Sequence, residues 1–166
     1  MFRLFLLGVL IAFVAACAGG RFSSPQATGF KVAQPIQCVP FARDASGIQI
    51  YGNAHTWWDQ ARGRYERGYR PQVGAVMVLS RTQAMTHGHL AVVRRVLGAR
   101  HIEVTHSNWG NDRHTRRYIY ESMRVEDISP ANDWSRVRFW NYHIGAYGQP
   151  YPVRGFIYNR PARHDI

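Results

Sequence analysis

The chain has 166 residues, 46% of them hydrophobic and 13% aromatic, which is enough for one globular domain and excludes an intrinsically disordered chain. Its net charge of +11 arises from 20 arginines and one lysine against 10 acidic residues, and such a surplus fits an anionic partner. The basic runs are short, and no recognition helix or base-stacking surface accompanies them, so the charge does not indicate a nucleic-acid-binding protein.

The first 16 residues have the pattern of a targeting signal. A short basic start precedes an apolar run from Leu4 to Ala16, which has signal-peptide length and is too short for a relaxed bilayer span. The small residues before Cys17 resemble a bacterial lipobox, so residues 1–16 are predicted to be a lipoprotein-type signal peptide. By that resemblance Cys17 is lipidated and anchors a periplasmic protein to the outer membrane. Ordinary cleavage near Ala16, which releases a soluble periplasmic or secreted protein, is the alternative.

The rest of the chain divides into a tether, a domain and a tail. Small and polar residues dominate residues 17–35, which are predicted to form a flexible tether. Residues 36–159 are predicted to be the catalytic domain, and residues 160–166 a tail. If Cys17 is acylated or removed, Cys38 has no disulfide partner in the chain, and an unpaired thiol outside the cytoplasm is a candidate reactive group.

Cys38 begins a predicted helix that runs to about Ala45 and ends at Gly47. A helix N-terminus favours thiolate over thiol, but it supplies only about 0.3–1 kcal/mol, whereas a shift of two pKa units takes roughly 2.7 kcal/mol. A nucleophilic Cys38 therefore needs a second partner, most naturally a histidine. The alternative is that Cys38 is a small buried apolar residue.

The predicted domain contains two helices followed by about six strands. The second helix is predicted over residues 53–67, where Trp57, Ala61 and Tyr65 recur at helical spacing. The predicted strands cover residues 74–79, 89–96, 101–109, 117–125, 137–142 and 155–158, with a hairpin between the second and the third. This order predicts an α+β domain in which N-terminal helices pack on an antiparallel sheet.

Alternation along the third strand sorts its side chains into two faces. His106 and Asn108 share the apolar, core-side face with Ile102 and Val104, whereas Glu103 points the other way and is a poor candidate for a catalytic acid. His89 opens the preceding strand and can lie at the same rim of the sheet. These residues are therefore the candidates for the partners of Cys38.

Five ordered blocks then resemble one family. They are Gln37-Cys38-Val39-x-Phe41-Ala42, Gly52-Asn53-Ala54 with Trp57, Pro71-x-x-Gly74-Ala75-Val76, Gly88-His89-Leu90-Ala91-Val92-Val93, and Asn108-Trp109. The chain resembles the CHAP family, the cysteine, histidine-dependent amidohydrolases/peptidases of the papain-like superfamily. The resemblance implies a papain-like α+β fold and a peptidoglycan hydrolase that cleaves an amide or peptide bond of the stem peptide without a cofactor. Both the muramoyl amide and an endopeptide bond remain open as the bond that is cut.

The resemblance also implies roles for individual residues. Cys38 corresponds to the nucleophile and His89 to the general base, and the backbone N–H of Cys38 with Gln37 can hold the oxyanion. The family commonly has Glu or Asp where this chain has His106, so either His106 or Asn108 orients His89, with Asn108 slightly favoured because its carbonyl can do so.

Three other interpretations compete with a hydrolase. His87, His89 and His106 with Cys38 could form a zinc site, although no metal-binding loop supports one. The fold could also be a non-catalytic wall-binding module, an interpretation that the missing acid at position 106 strengthens. The basic charge leaves a nucleic-acid binder as the weakest alternative.

Overall fold

The computed structural model describes residues 28–162. The predicted signal peptide, the lipidated Cys17 and residues 163–166 of the predicted tail lie outside this range. The helices are α1 (Cys38–Ser46) and α2 (Trp57–Gln60), with short 3-10 turns at Ala54–Thr56 and Thr115–Arg117. The strands are β1 (Thr28–Lys31), β2 (Tyr65–Gly68), β3 (Val76–Leu79), β4 (His89–Val96), β5 (His101–Ser107), β6 (Tyr118–Asp127), β7 (Arg136–Asn141) and β8 (Ala146–Pro161). None of the helices in residues 28–162 is long and apolar enough to cross a membrane.

The strands close into an antiparallel barrel rather than forming an open sheet. The sheet order is β1-β6-β5-β4-β3-β8-β2, and β7 pairs with both β6 and β8, so six strands from β3 to β8 form a closed ring. Closure is possible because β6 and β8 are long, with 10 and 16 residues, and each has room for two neighbours along one edge. The predicted α+β, papain-like arrangement is therefore wrong: residues 28–162 are mostly β, with only two short α-helices among them.

Side-chain alternation along the strands divides the apolar residues between two cores. Met77 and Leu79 of β3 point into the barrel, whereas Val76 and Val78 point outward beneath α1. Strand β4 repeats this division, with Ala91 inside and Leu90 outside. The barrel wall thus separates an inner core from an outer core that the helices cover.

The first helix is predicted correctly and the second is not. Helix α1 begins at Cys38 and ends before Gly47, whose φ of +76° is the left-handed conformation typical of a helix C-terminus. Helix α2, in contrast, ends at Gln60, and Tyr65 already begins β2. Gly63, with a φ of +71°, lies in the turn between them. Tyr65 and Arg67, which are predicted to lie in the second half of this helix, pair instead with β8.

Several predicted strand positions hold. Strand β4 has the predicted bounds, and it forms the predicted hairpin with β5. Strand β1 lies within the segment that the sequence predicts as a tether, and it pairs with β6. The predicted domain boundaries stay a prediction.

Candidate active site

Cys38 is the first residue of α1 and lies in the outer core. It is a free cysteine, only 9% exposed. Burial raises the pKa of its thiol above the ordinary value, and the backbone N–H groups of Leu90, Cys38 and Val39 oppose that shift only in part. The expected preference for thiolate is therefore not met in this structure, because loss of solvation outweighs the helix terminus.

His89 and His106 form a buried pair at one end of the barrel. His89 is the first residue of β4, and its Nε2 lies 2.9 Å from Nδ1 of His106 on β5. The exposed fractions are 3% and 0%. Burial lowers the pKa of His89 to about 3, and burial together with the neighbouring His89 holds the pKa of His106 well below its ordinary value. Both imidazoles are therefore neutral near pH 7.

His106 projects into the barrel interior, as the alternation predicts. Its ring stacks on Tyr120 at a centroid distance of 5.1 Å and lies 5.5 Å from Phe139. Its Nε2 lies 3.2 Å from the sulfur of Met123, which is itself 2% exposed. No role was expected of Met123, whose place inside the barrel follows from the register between β6 and β5.

The alternation breaks at Asn108, directly after β5. Asn108 has a φ of +55°, a left-handed conformation that asparagine tolerates better than most residues. As a result, Trp109 turns back to lie 4.7 Å from the ring of His89, on the side predicted for Asn108. The side chain of Asn108 instead donates a hydrogen bond of 2.7 Å from Nδ2 to Oε1 of Gln37. His106, and not Asn108, is thus the hydrogen-bond partner of His89.

Gly88 fixes the position of His89 at the start of β4. Its φ is +70°, and a Cβ at this site would lie 2.8 Å from the carbonyl oxygen of Leu79 and 2.9 Å from the backbone nitrogen of His55. Those distances leave no room for a side chain. His87, on the other side of this glycine, accepts a hydrogen bond at its carbonyl oxygen from the N–H of His55.

Cys38 and His89 line the same cleft, which has a volume of about 1270 Å³ and opens at the end of the barrel. Gln37 and Asn108 also contribute to its wall. Much of the remaining wall is aromatic: Trp109, Tyr118, Tyr120, Phe139, Trp140, Tyr142 and Tyr151. Backbone N–H groups are the hydrogen-bond donors that act on the Cys38 sulfur. The cleft thus brings Cys38 and His89 to one wall, and His106 is joined to this wall through its contact with His89.

Two other predicted features can be placed. Glu103 faces away from the cleft, where its carboxylate accepts hydrogen bonds from Arg95 at 2.8 Å and from Ser122 at 2.7 Å. Within residues 28–162, no group of three or more His, Cys, Asp or Glu side chains is arranged to hold a metal ion. The zinc alternative would need His87 beside the two buried histidines, and among these residues no such group supports it.

Residues 27–108 match the family model of the CHAP domain. The match contains Gln37, Cys38, His89 and His106 and ends at Asn108, so it spans each residue proposed for the site from the sequence. No curated protein matches the chain. The family resemblance that the ordered blocks predict is confirmed.

Proposed function

We propose, from the premise that residues 27–108 belong to the CHAP domain family, that this chain hydrolyses an amide or peptide bond of the peptidoglycan stem peptide. CHAP domains are typically cysteine, histidine-dependent amidohydrolases or peptidases, and the family implies a peptidoglycan-related role, as a hydrolase or as a binding domain. The observation that carries the proposal is that Cys38 and His89 line one cleft. In addition, Nε2 of His89 is held by Nδ1 of His106.

The proposed reaction begins from a neutral thiol and a neutral imidazole. Burial disfavours both the thiolate and the imidazolium, so the proton passes from Cys38 to His89 as the sulfur attacks the amide carbonyl. Because His106 occupies Nε2 of His89, Nδ1 is the nitrogen that receives this proton. The imidazolium then protonates the leaving amine, and a thioester remains on Cys38. Water, deprotonated by His89, hydrolyses the thioester and releases the acid.

Gln37 and Cys38 are the proposed donors to the oxyanion. The backbone N–H of Cys38 lies at the start of α1, and the side-chain oxygen of Gln37 already accepts a hydrogen bond from Asn108. This leaves the amide nitrogen of Gln37 for a substrate oxygen. In this proposal Asn108 acts on Gln37 and His106 acts on His89.

A wall-binding domain without activity is the second candidate. The observation that favours it is His106, which is neutral where the family commonly has an acid and which supplies no fixed negative charge to stabilise an imidazolium. Its aromatic cleft would still bind wall fragments.

Digestion of purified peptidoglycan, followed by mass spectrometry of the released fragments, separates the two candidates. The wild-type protein is compared with Cys38→Ala, which removes only the sulfur. Fragments that appear with wild type and not with Cys38→Ala support the hydrolase, and their masses identify the bond that is cut. Equal release by both proteins, together with co-sedimentation of both with the wall, would support the candidate function of a wall-binding domain instead.

The proposed cellular location rests on the sequence before the described residues. Cys17 is proposed to carry the lipid that anchors the domain to the outer membrane on its periplasmic side. Metabolic labelling with a palmitate analogue tests this, since wild type should be labelled and Cys17→Ser should not. Equal labelling of the two contradicts the anchor without bearing on the hydrolase.

A further inference from the structure

The contacts of the ring nitrogens of His89 and His106 determine which nitrogen of each ring is protonated. A neutral imidazole carries one N–H and one lone pair, so each hydrogen bond in a chain of imidazoles fixes the next one. Two contacts define the chain here: Nε2 of His106 lies 3.2 Å from the sulfur of Met123, and Nδ1 of His106 lies 2.9 Å from Nε2 of His89.

The sulfur of Met123 determines the direction of this chain. A thioether has lone pairs and no proton, so it can only accept. Nε2 of His106 must therefore carry the proton, because a lone pair at this distance from sulfur would face other lone pairs. Nδ1 of His106 is then unprotonated and accepts from His89, whose Nε2 carries the proton. Nδ1 of His89 is left with its lone pair.

We propose that Met123 is a positioning residue that acts through His106 to hold His89 in the tautomer whose Nδ1 is basic. The consequence for catalysis rests on the proposed function, because only that tautomer can take the proton of Cys38, whereas the other would present an N–H to the thiol. The assignment of the tautomers rests on the two contacts alone. It explains how a buried histidine can occupy the position of an acid: the barrel interior supplies an acceptor for its second nitrogen.

The other groups around His106 do not compete for its nitrogens. The rings of Tyr120, Phe139 and Trp109 contact it through their faces or edges, at centroid distances of 5.1 to 5.5 Å. Among the described residues, the sulfur of Met123 is the acceptor that meets Nε2. The burial of both side chains, 0% and 2% exposed, keeps bulk water from replacing it.

Nitrogen-15 NMR of the histidine rings tests the proposal, because the shifts of Nδ1 and Nε2 report which nitrogen is protonated. Signals are assigned from His89→Gln and His106→Gln. At pH 7, wild type should show both rings protonated on Nε2. Wild-type protein with either ring protonated on Nδ1 overturns the proposal without the need for any variant at position 123.

Met123→Leu then tests the role of the sulfur, since leucine keeps a similar volume and accepts no hydrogen bond. We expect the Nδ1–H form of both rings to appear and kcat to fall about two- to tenfold, the loss of one neutral hydrogen bond of about 0.5–1.5 kcal/mol. In a His106→Glu background the carboxylate accepts from His89 unaided, so Met123→Leu should leave the His89 tautomer unchanged there.

Unchanged tautomers in Met123→Leu, with the fold verified by circular dichroism, would remove Met123 from the chain of hydrogen bonds. The NMR measurement needs no substrate. A protein with the expected tautomers and no hydrolytic activity therefore contradicts the proposed function and leaves the proton arrangement standing.

Discussion

The pH dependence of Cys38 alkylation follows directly from its burial. Helix α1 begins at Cys38 itself, and its terminus can lower a thiol pKa by less than one unit, since it supplies about 0.3–1 kcal/mol and one unit takes about 1.4 kcal/mol. Loss of solvation is the largest cause acting on Cys38, and it raises the pKa. The neighbouring His89 adds no positive charge near pH 7, because burial lowers its pKa to about 3.

These causes give a numerical expectation for the thiolate fraction. An ordinary thiol with a pKa of about 8.5 is roughly 1% thiolate at pH 6.5 and about half thiolate at pH 8.5, and a raised pKa steepens this rise. The rate of alkylation of Cys38 should therefore increase about 50- to 100-fold between these two pH values. A thiolate paired with an imidazolium, with a pKa near 6.5, would change only about twofold over the same range.

Pseudo-first-order labelling by iodoacetamide measures this rate. Cys17→Ser is the starting protein, so that Cys38 is the single thiol of the two in the sequence, and Cys38→Ser gives the background. The shape of the profile reports the thiol pKa when opening of the site is fast compared with alkylation, because a constant open fraction then scales all rates alike; rates proportional to the iodoacetamide concentration at each pH verify this condition. A rate that levels off below pH 7 would refute the argument and show that Cys38 rests as an ion pair.

Three further predictions concern the neighbours of Cys38. His106→Glu should move the alkylation profile of Cys38 toward lower pH, because a carboxylate beside His89 stabilises its imidazolium; an unmoved profile contradicts this. Asn108→Ala should lower kcat about two- to tenfold in wild type and have no further effect in Gln37→Ala, a coupling that a double-mutant cycle measures. The free energy of unfolding should fall as the pH drops from about 6.5 toward 3, since unfolded His89 gains a proton that the folded form, with a pKa of about 3, resists. Urea titrations should show that His89→Gln removes up to about 1.4 kcal/mol per pH unit of this fall.

Local patterns predicted individual elements well and their assembly poorly. The bounds of β4 and the end of α1 at Gly47 follow from an apolar run and from one glycine. Closure of the barrel depends on pairs such as Arg136 with Pro152 and Asp127 with Val137, which join segments by register rather than by any local signal. The spacing of Trp57 and Tyr65 fits a helix, but it also arises when a short helix turns directly into a strand.

The candidate site shows the same limit at the scale of one residue. Cys38, His89 and His106 were identified from the sequence, and the structure brings the two histidines into contact. The role expected of Asn108 assumed that β5 continued through it. Because a single positive φ reverses the alternation there, Asn108 contacts Gln37, and Trp109 lies against His89. Met123 comes from a strand paired with β5 and could be found only once the register was known.

Closure of the ring also affects whether a second copy of the domain can add a strand to the sheet. A strand with unbonded backbone groups along one side is a template for aggregation. Between residues 28 and 162, the strands at the two ends of the sheet order are β1 and β2, each of only four residues. Each carries a basic residue, Lys31 in one and Arg67 in the other. Short, charged ends of this kind oppose the addition of a strand from a second molecule, so the architecture that positions the histidines also favours colloidal stability.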